Sequence, residues 1–327
     1  MRATTAFISF LAIGAGALAA PVAMHAATTL PVPFTSQAPF SDWHEPWQNA
    51  CEEATIVMVD SFYKQKTLEP EGARQALLDI FRIKNNTFGW SLDEDADTIA
   101  ELINAYLPWE ASVAVSPTVE QIKQEIDAGR PVIIPAYGKA LYNPHFKNGG
   151  PIYHTVVISG YDDAARMFIT QEPGTRHGLD FRYSYDRIMN AMHDFVPGNT
   201  ANGRRVAIFT NPVLTHSAHI DADNDGLTKA EEIAHRTVVW LADSDGDGYG
   251  DGVEVSQGYL PTVAEQRLPS GTLIQALNDP KVYLLENGAK RHIVNENVFV
   301  RRGFLWRRIQ PVSVPFLQDV REGEPVI

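Results

Sequence analysis

The sequence predicts an α+β fold, in which helices come first and strands second, followed by a small acidic segment and a small β-rich module. Three observations carry that expectation. Between residues 51 and 128 apolar residues recur at helical spacing, between 131 and 170 they gather in short continuous runs, and beyond residue 212 the composition changes twice.

The opening stretch, MRATTAFISFLAIGAGALAAPVAMHA, carries Arg2, an apolar run from Phe7 to Ala20 and several Ala-based cleavage options. That is the pattern of a secretory signal peptide, assigned to residues 1–27, and it places the mature chain outside the cell or at its surface. No later stretch reaches the ~18 apolar residues that a membrane span needs. The extended segment LPVPFTSQAP follows, then the stretch Trp43 to Tyr63, whose residues from Ala54 onward form a helix that is apolar nearly all round, with Asn49 as a candidate cap. PEGARQALLDIFRI (70–83) and EDADTIAELINAY (94–106) are amphipathic helices, and residues 110–115 alternate as a strand. TVEQIKQEIDA (118–128) is a helix with a threonine cap that stops at Gly129. PVIIPA (131–136), IYHTVVISG (152–160) and MFIT (167–170) are strands. YDRIMNAMH (185–193) is a short helix and RRVAIF (204–209) a closing strand, so this domain spans 28–212.

The formal net charge is −13, and no basic stripe runs through the first two thirds of the chain, which argues against a nucleic-acid binder. More than half of that charge sits between His219 and Ser256, where ten carboxylates face two cations, a net of −8. Such crowding points to bound cations.

Cys51 is the only cysteine, so it has no intramolecular disulfide partner. At the first turn of a helix its sulfur lies beside unpaired backbone N–H groups, which favour the thiolate. Catalysis and a small buried hydrophobe are both readings of it. A nucleophilic cysteine needs a base and a group that orients the base. Of ten histidines, His154 is the best placed, because it opens a strand just after Gly149-Gly150-Pro151. His44 and His145 lie in loops, His177 follows a turn, and His193 ends a helix. Hairpin pairing of the next strand brings Glu172 back beside His154, where it can accept from Nδ1; Gln171 is the alternative orienter.

At these residues the chain resembles the C39-like branch of the papain-like cysteine peptidases. The resemblance runs from Leu30 to Pro212 on VPFTSQ, ACEEA, AGRPVIIP, YHTVVISGYDD and FITQEPGT, in the family's order. It implies a papain-like fold with Cys51 as nucleophile, His154 as base and the residue before Pro173 as orienter. Family members usually carry Asp there, often after Asn, whereas this chain has Gln171-Glu172. The resemblance also implies an oxyanion-hole glutamine. Gln37 fits the motif context but stands fourteen residues before Cys51, across an inserted loop, and Gln48 is nearer but outside the motif. The implied activity is hydrolysis of peptide bonds in a peptide or protein substrate, cell-wall peptides among the candidates. The alternative is a surface-binding protein that has kept the fold and lost turnover.

Two loops in the segment 213–258 match the calcium pattern D-x-[DN]-x-[DN]-G-x5-E without a mismatch. In the first, Asp221, Asp223 and Asp225 supply side-chain oxygens, Leu227 a backbone carbonyl and Glu232 the closing bidentate carboxylate. In the second the same places are held by Asp243, Asp245, Asp247, Tyr249 and Glu254, with Asp251 at position nine; Lys229 occupies that position in the first. The loops are offset by 22 residues, too few for two full helix-loop-helix hands. They resemble the dockerin or thrombospondin type 3 class of calcium repeats, which implies two structural Ca2+ ions that stiffen the junction between domains.

Residues 259–327 form the small β-rich module, with nine Lys/Arg and six Asp/Glu from Arg267 onward. Its centre, VYLLENGAKR, faintly resembles a short β repeat of bacterial surface proteins. Arg301, Arg302, Phe304, Trp306, Arg307 and Arg308 offer a basic, aromatic face for an acidic wall polymer, or simply a solvated strand edge.

Overall fold

The computed structural model describes residues 27–89, 91–277 and 279–327. The expected signal peptide, Ala27 apart, lies outside the described residues, and among those described no helix is long and apolar enough to cross a membrane.

The first sheet is antiparallel throughout. Its strands are β1 (Thr28–Thr29), β2 (Glu110–Val115), β3 (Val132–Ala136), β4 (His154–Asp162), β5 (Met167–Gln171), β6 (Phe181–Ser184) and β7 (Val206–Asn211). They lie in the order β2-β7-β3-β4-β5-β6, with β1 paired on β4. Strand period two decides which residues face which side. Ile133, Val157, Val206 and Ile208 join a cluster with α1 (Cys51–Tyr63), α2 (Pro70–Phe88) and α3 (Ala96–Tyr106). Their neighbours Val132, Ile134, Val156, Ile158 and Ala207 join the opposite cluster with α4 (Val119–Asp127) and α5 (Tyr185–Ala191). Each fully buried Val or Ile side chain among them contributes roughly 1.5–3 kcal/mol.

Helix α1 is buried from Cys51 through Val59 because it lies between β4 and α2. Its start differs from the expectation. Ala50, not Asn49, holds the cap position and no side chain caps it; the Asn49 amide instead donates to Glu45 Oε1 at 2.7 Å. Helix α2 runs five residues past its expected end, since Lys84 continues the buried face and pairs with Glu53 of α1 at 2.7 Å. Helix α3 starts at Ala96 rather than Glu94, because Asp95 caps it by accepting from the Thr98 N–H at 2.8 Å. The Thr118 cap of α4 is a full capping box with Gln121. Strand β6 escaped the sequence reading, as its four residues pair only along the β5 edge.

Two short helices, α6 (Lys229–His235) and α7 (Asp251–Gln257), follow the acidic loops. A second sheet closes the chain, with β8 (Leu273–Ala276), β9 (Tyr283–Glu286), β10 (Ala289–His292), β11 (Ile309–Val312) and β12 (Arg321–Glu322) in the order β11-β8-β9-β10-β12. It is mixed, since β11 runs parallel to β8 and β12 to β10, and it carries helices α8 (Glu296–Arg301) and α9 (Val314–Asp319). An Asn-Gly turn joins β9 to β10 through Asn287 and Gly288 at φ 51° and 70°.

Candidate functional site

Cys51, His154 and Gln37 line one cleft of ≈ 780 Å³, together with Trp43, Gln48 and Tyr153. Cys51 opens α1 and is 3% exposed; His154 opens β4 and is 1% exposed; Glu172, the residue after β5, is wholly buried behind the ring. The β4–β5 pairing carries Glu172 back to the imidazole, with His154 Nε2 at 2.5 Å from Glu172 Oε1. The expected nitrogen is wrong: the carboxylate holds Nε2 and leaves Nδ1 for other work. A glutamate on the turn beyond β5 reaches the far nitrogen of the ring.

Glu172 is thoroughly partnered. Its Oε1 also accepts the Gly174 N–H at 2.9 Å, and its Oε2 accepts the Tyr183 hydroxyl at 2.8 Å, which Asn143 Nδ2 holds at 2.7 Å. Burial and the carboxylate push the Tyr183 hydroxyl far above its usual range, so it stays a donor. Phe146 packs its edge on the His154 ring, centroids 5.3 Å apart at 84°. Gly174 approaches so closely that a Cβ there would meet His154 Cε1 and Phe146 Cε1, each at 2.9 Å.

The thiol environment reverses an expectation. Cys51 Sγ donates to Glu52 Oε2 at 3.0 Å. Burial, then the Glu52 charge and its hydrogen bond, then Asp93 push the thiol well above its ordinary value, with Thr155 acting weakly the other way. The helix start favours the thiolate by about 1 kcal/mol, too little against burial beside a carboxylate. Glu52 is itself pushed well up, by burial first and then by Glu53 and Asp93, while its Oε1 accepts the Glu94 N–H at 3.0 Å.

Gln37 also differs from its expected role. It is buried, and its Nε2 donates to the carbonyls of Trp47 at 3.0 Å and Gln48 at 2.8 Å, so both amide hydrogens are committed. The inserted loop folds back over it. Gln48 is exposed on the cleft wall. His44 is exposed and bonded to Asp42, and His193 bonds the Gly203 carbonyl, so neither shares the cleft with Cys51; His145 and His177 line it.

A family model described as the Peptidase_C39 like family matches residues 29–196. The chain belongs to that family. A solved structure from Bacillus anthracis, provisionally assigned there as a C39-like peptidase, matches at 18% identity and a TM-score of 0.39, covering 59% of this chain and 100% of that chain. No curated protein matches. The C39-like segment thus contains Cys51, His154 and Glu172.

The acidic loops lie outside that match. The side-chain oxygens of Asp221, Asp223 and Asp225 gather within 4.8 Å of one another, as do those of Asp243, Asp245 and Asp247. Gly226 and Gly248, at position six, take φ of 102° and 100°, which side-chain-bearing residues rarely adopt. Glu232 is fully buried and neither of its oxygens has a partner; Asp221 Oδ1, Asp223 Oδ2, Asp245 Oδ2 and Glu254 Oε2 are likewise buried and unpartnered. Burial and the neighbouring carboxylates push Glu232 and Glu254 up to about 8 and Asp223 to about 6. Hard oxygen donors starved of partners fit a divalent cation. Leu227 and Tyr249 stand at position seven of their loops, where each N–H donates to the aspartate at position five, at 2.7 and 3.0 Å. The two oxygens of Asp251 accept the N–H and hydroxyl of Ser244 at 2.9 and 2.6 Å.

Lys229 turns away from the first loop. Fully buried, its Nζ donates to Asn104 O and Ser217 Oγ at 3.0 Å and lies 3.3 Å from Trp109 O, and burial brings it down to about 8. Beside it Glu110 accepts from Thr215 Oγ1 and from the N–H groups of His216 and Ser217 at 2.6–2.7 Å. These contacts seat the acidic segment on the C39-like segment. In the last module Trp306 stacks on Phe299 with centroids 4.1 Å apart, so part of the expected aromatic face is engaged within the chain.

The sequence reading missed Glu52, Asn143, Phe146 and Tyr183. For Glu52 the signal was present, in two adjacent carboxylates at the head of an otherwise apolar helix. The other three stand in loops or on an edge strand with no local pattern.

Proposed function

We propose that the protein is an exported cysteine peptidase in which Cys51 is the nucleophile, His154 its base and Glu172 the orienter of that base. The observation that carries this reading is the buried His154–Glu172 pair sharing a cleft with Cys51. The sulfur attacks a peptide carbonyl, forming a C–S bond, while its proton passes to His154 Nδ1. His154 then delivers that proton to the departing amine, and a water deprotonated by the same ring releases the acyl group. The oxyanion lies near the Cys51 backbone N–H at the start of α1, with Gln48 as the side-chain donor on the open wall. Residues 28–212 form the peptidase domain and 213–258 a calcium segment, holding two structural Ca2+ ions as dockerin or thrombospondin type 3 repeats do. Residues 259–327 form a module with a basic face for a wall polymer. Peptides or proteins at the cell surface are the substrates.

The engagement of Cys51 by Glu52 and the committed Gln37 amide favour a second reading, a surface-binding protein without turnover. Cys51→Ala separates the two when casein hydrolysis and melting temperature are measured together. The peptidase reading expects complete loss of turnover with an unchanged melt; hydrolysis that survives, or that the native chain never shows, removes it.

A further inference from the structure

The charged residues that line the cleft are all of one sign. None of the forty acidic residues lines it, although the chain as a whole carries a net charge of −13. Lys147 and Arg176 do line it, with His145 and His177 between them. The four come from two loops, 145–147 before β4 and 176–177 after β5, and they meet where the rings of His145 and His177 lie 4.6 Å apart. Among the described residues neither Lys147 nor Arg176 has a carboxylate partner, whereas Arg82, Lys123, Arg182 and Arg204 are each paired. Arg176 Nε donates to His177 Nε2 at 3.1 Å, which steadies the guanidinium while its terminal nitrogens make no bond among the described residues.

The position of this cluster along the cleft says which part of a substrate it meets. Phe146 and Gly174, the residues packed on the His154 ring, belong to the same two loops. His154 hands its proton to the departing amine, so the leaving half of the substrate lies on the ring's side of the sulfur. Elsewhere the lining, including Ser41, Trp43, Gln48 and Asn49, is uncharged.

Resting on the peptidase reading, we infer that Lys147, Arg176 and the His145–His177 stack form a specificity site for a carboxylate on the leaving-group side of the scissile bond. The substrate is an acidic peptide, cut just before an Asp or Glu side chain or just before a free C-terminal carboxylate. Both sources present the same planar anion, which suits the fork of a guanidinium.

The test is substrate profiling of the full chain in calcium, on a proteome-derived peptide library at low and high salt, with the residues flanking each cut read by mass spectrometry. Cuts preceding Asp or Glu by one or two positions are expected to be enriched about fivefold per ion pair at low salt, falling as salt screens the contact. Amidating the library separates the sources: cuts near chain ends that vanish identify the terminal carboxylate, and those that persist identify the side chain. The double charge reversal Lys147→Glu with Arg176→Glu is expected to turn the preference toward Lys and Arg. Cutting with no charge preference, or a preference that the double reversal leaves unmoved, overturns the inference while leaving the peptidase reading intact. A library left uncut overturns both.

Discussion

Glu172 and Glu232 are both wholly buried carboxylates, yet they stand in opposite circumstances. The oxygens of Glu172 receive an imidazole, a backbone N–H and a tyrosine hydroxyl, whereas those of Glu232 receive nothing from the chain. A buried carboxylate without a partner costs several kcal/mol, so the first is complete as it stands, whereas the second finds no partner among the described residues. One site is built by long-range packing and is finished by folding. The other is built locally, and folding leaves its oxygens unpartnered among the described residues.

That contrast can be broken most directly at Glu172. Replacing it with alanine frees the His154 ring, and kcat should fall on the order of 10²–10⁴-fold with little change in KM; a fall in KM terms alone would refute the orienting role. Next in size, chelation by EDTA should lower the melting temperature by roughly 5–10 °C, since a cation at a hundredfold over its Kd supplies about 2.7 kcal/mol. Glu232→Gln should abolish the part of that calcium response that comes from the first loop, as calorimetric titration with CaCl2 would show. Tyr183→Phe removes one donor from Glu172 and should lower kcat/KM about tenfold, again without touching the calcium response. The smallest effect is at Glu52. The thiol is held up by burial and by the Glu52 carboxylate, both of which disfavour the anion, so Glu52→Gln removes the second cause. The iodoacetamide labelling profile of Cys51 should move to lower pH and the rate at neutral pH rise several-fold. An unmoved profile would show that burial alone governs the sulfur.

Much of the fold was legible because most elements announce themselves within ten or so residues. The apolar face of α3, the capping box of α4 and the Asn-Gly hairpin all rest on neighbours in sequence. His154 and Glu172 could be paired on paper for the same reason, being eighteen residues apart on one hairpin. Tyr183 and Asn143 could not, because their partnership joins an edge strand to a loop forty residues earlier. Nor could the end of α2, where Lys84 reads as a surface residue until Glu53 is placed against it. Gln37 shows the limit most plainly: its motif was recognisable, but the direction of its amide depended on how the inserted loop folded back.

By itself the sequence determined most of the helices and strands of the first domain, the lone thiol at a helix start, and two loops whose acidic residues lie within twelve residues of one another. Those depend on dihedral preferences and spacings that act over a few positions. Only the tertiary structure decided which imidazole nitrogen Glu172 holds, that the thiol faces a buried acid, and that Lys229 leaves its loop to anchor in the neighbouring segment. Burial and partnership are set by atoms brought in from distant parts of the chain, and no local pattern records them.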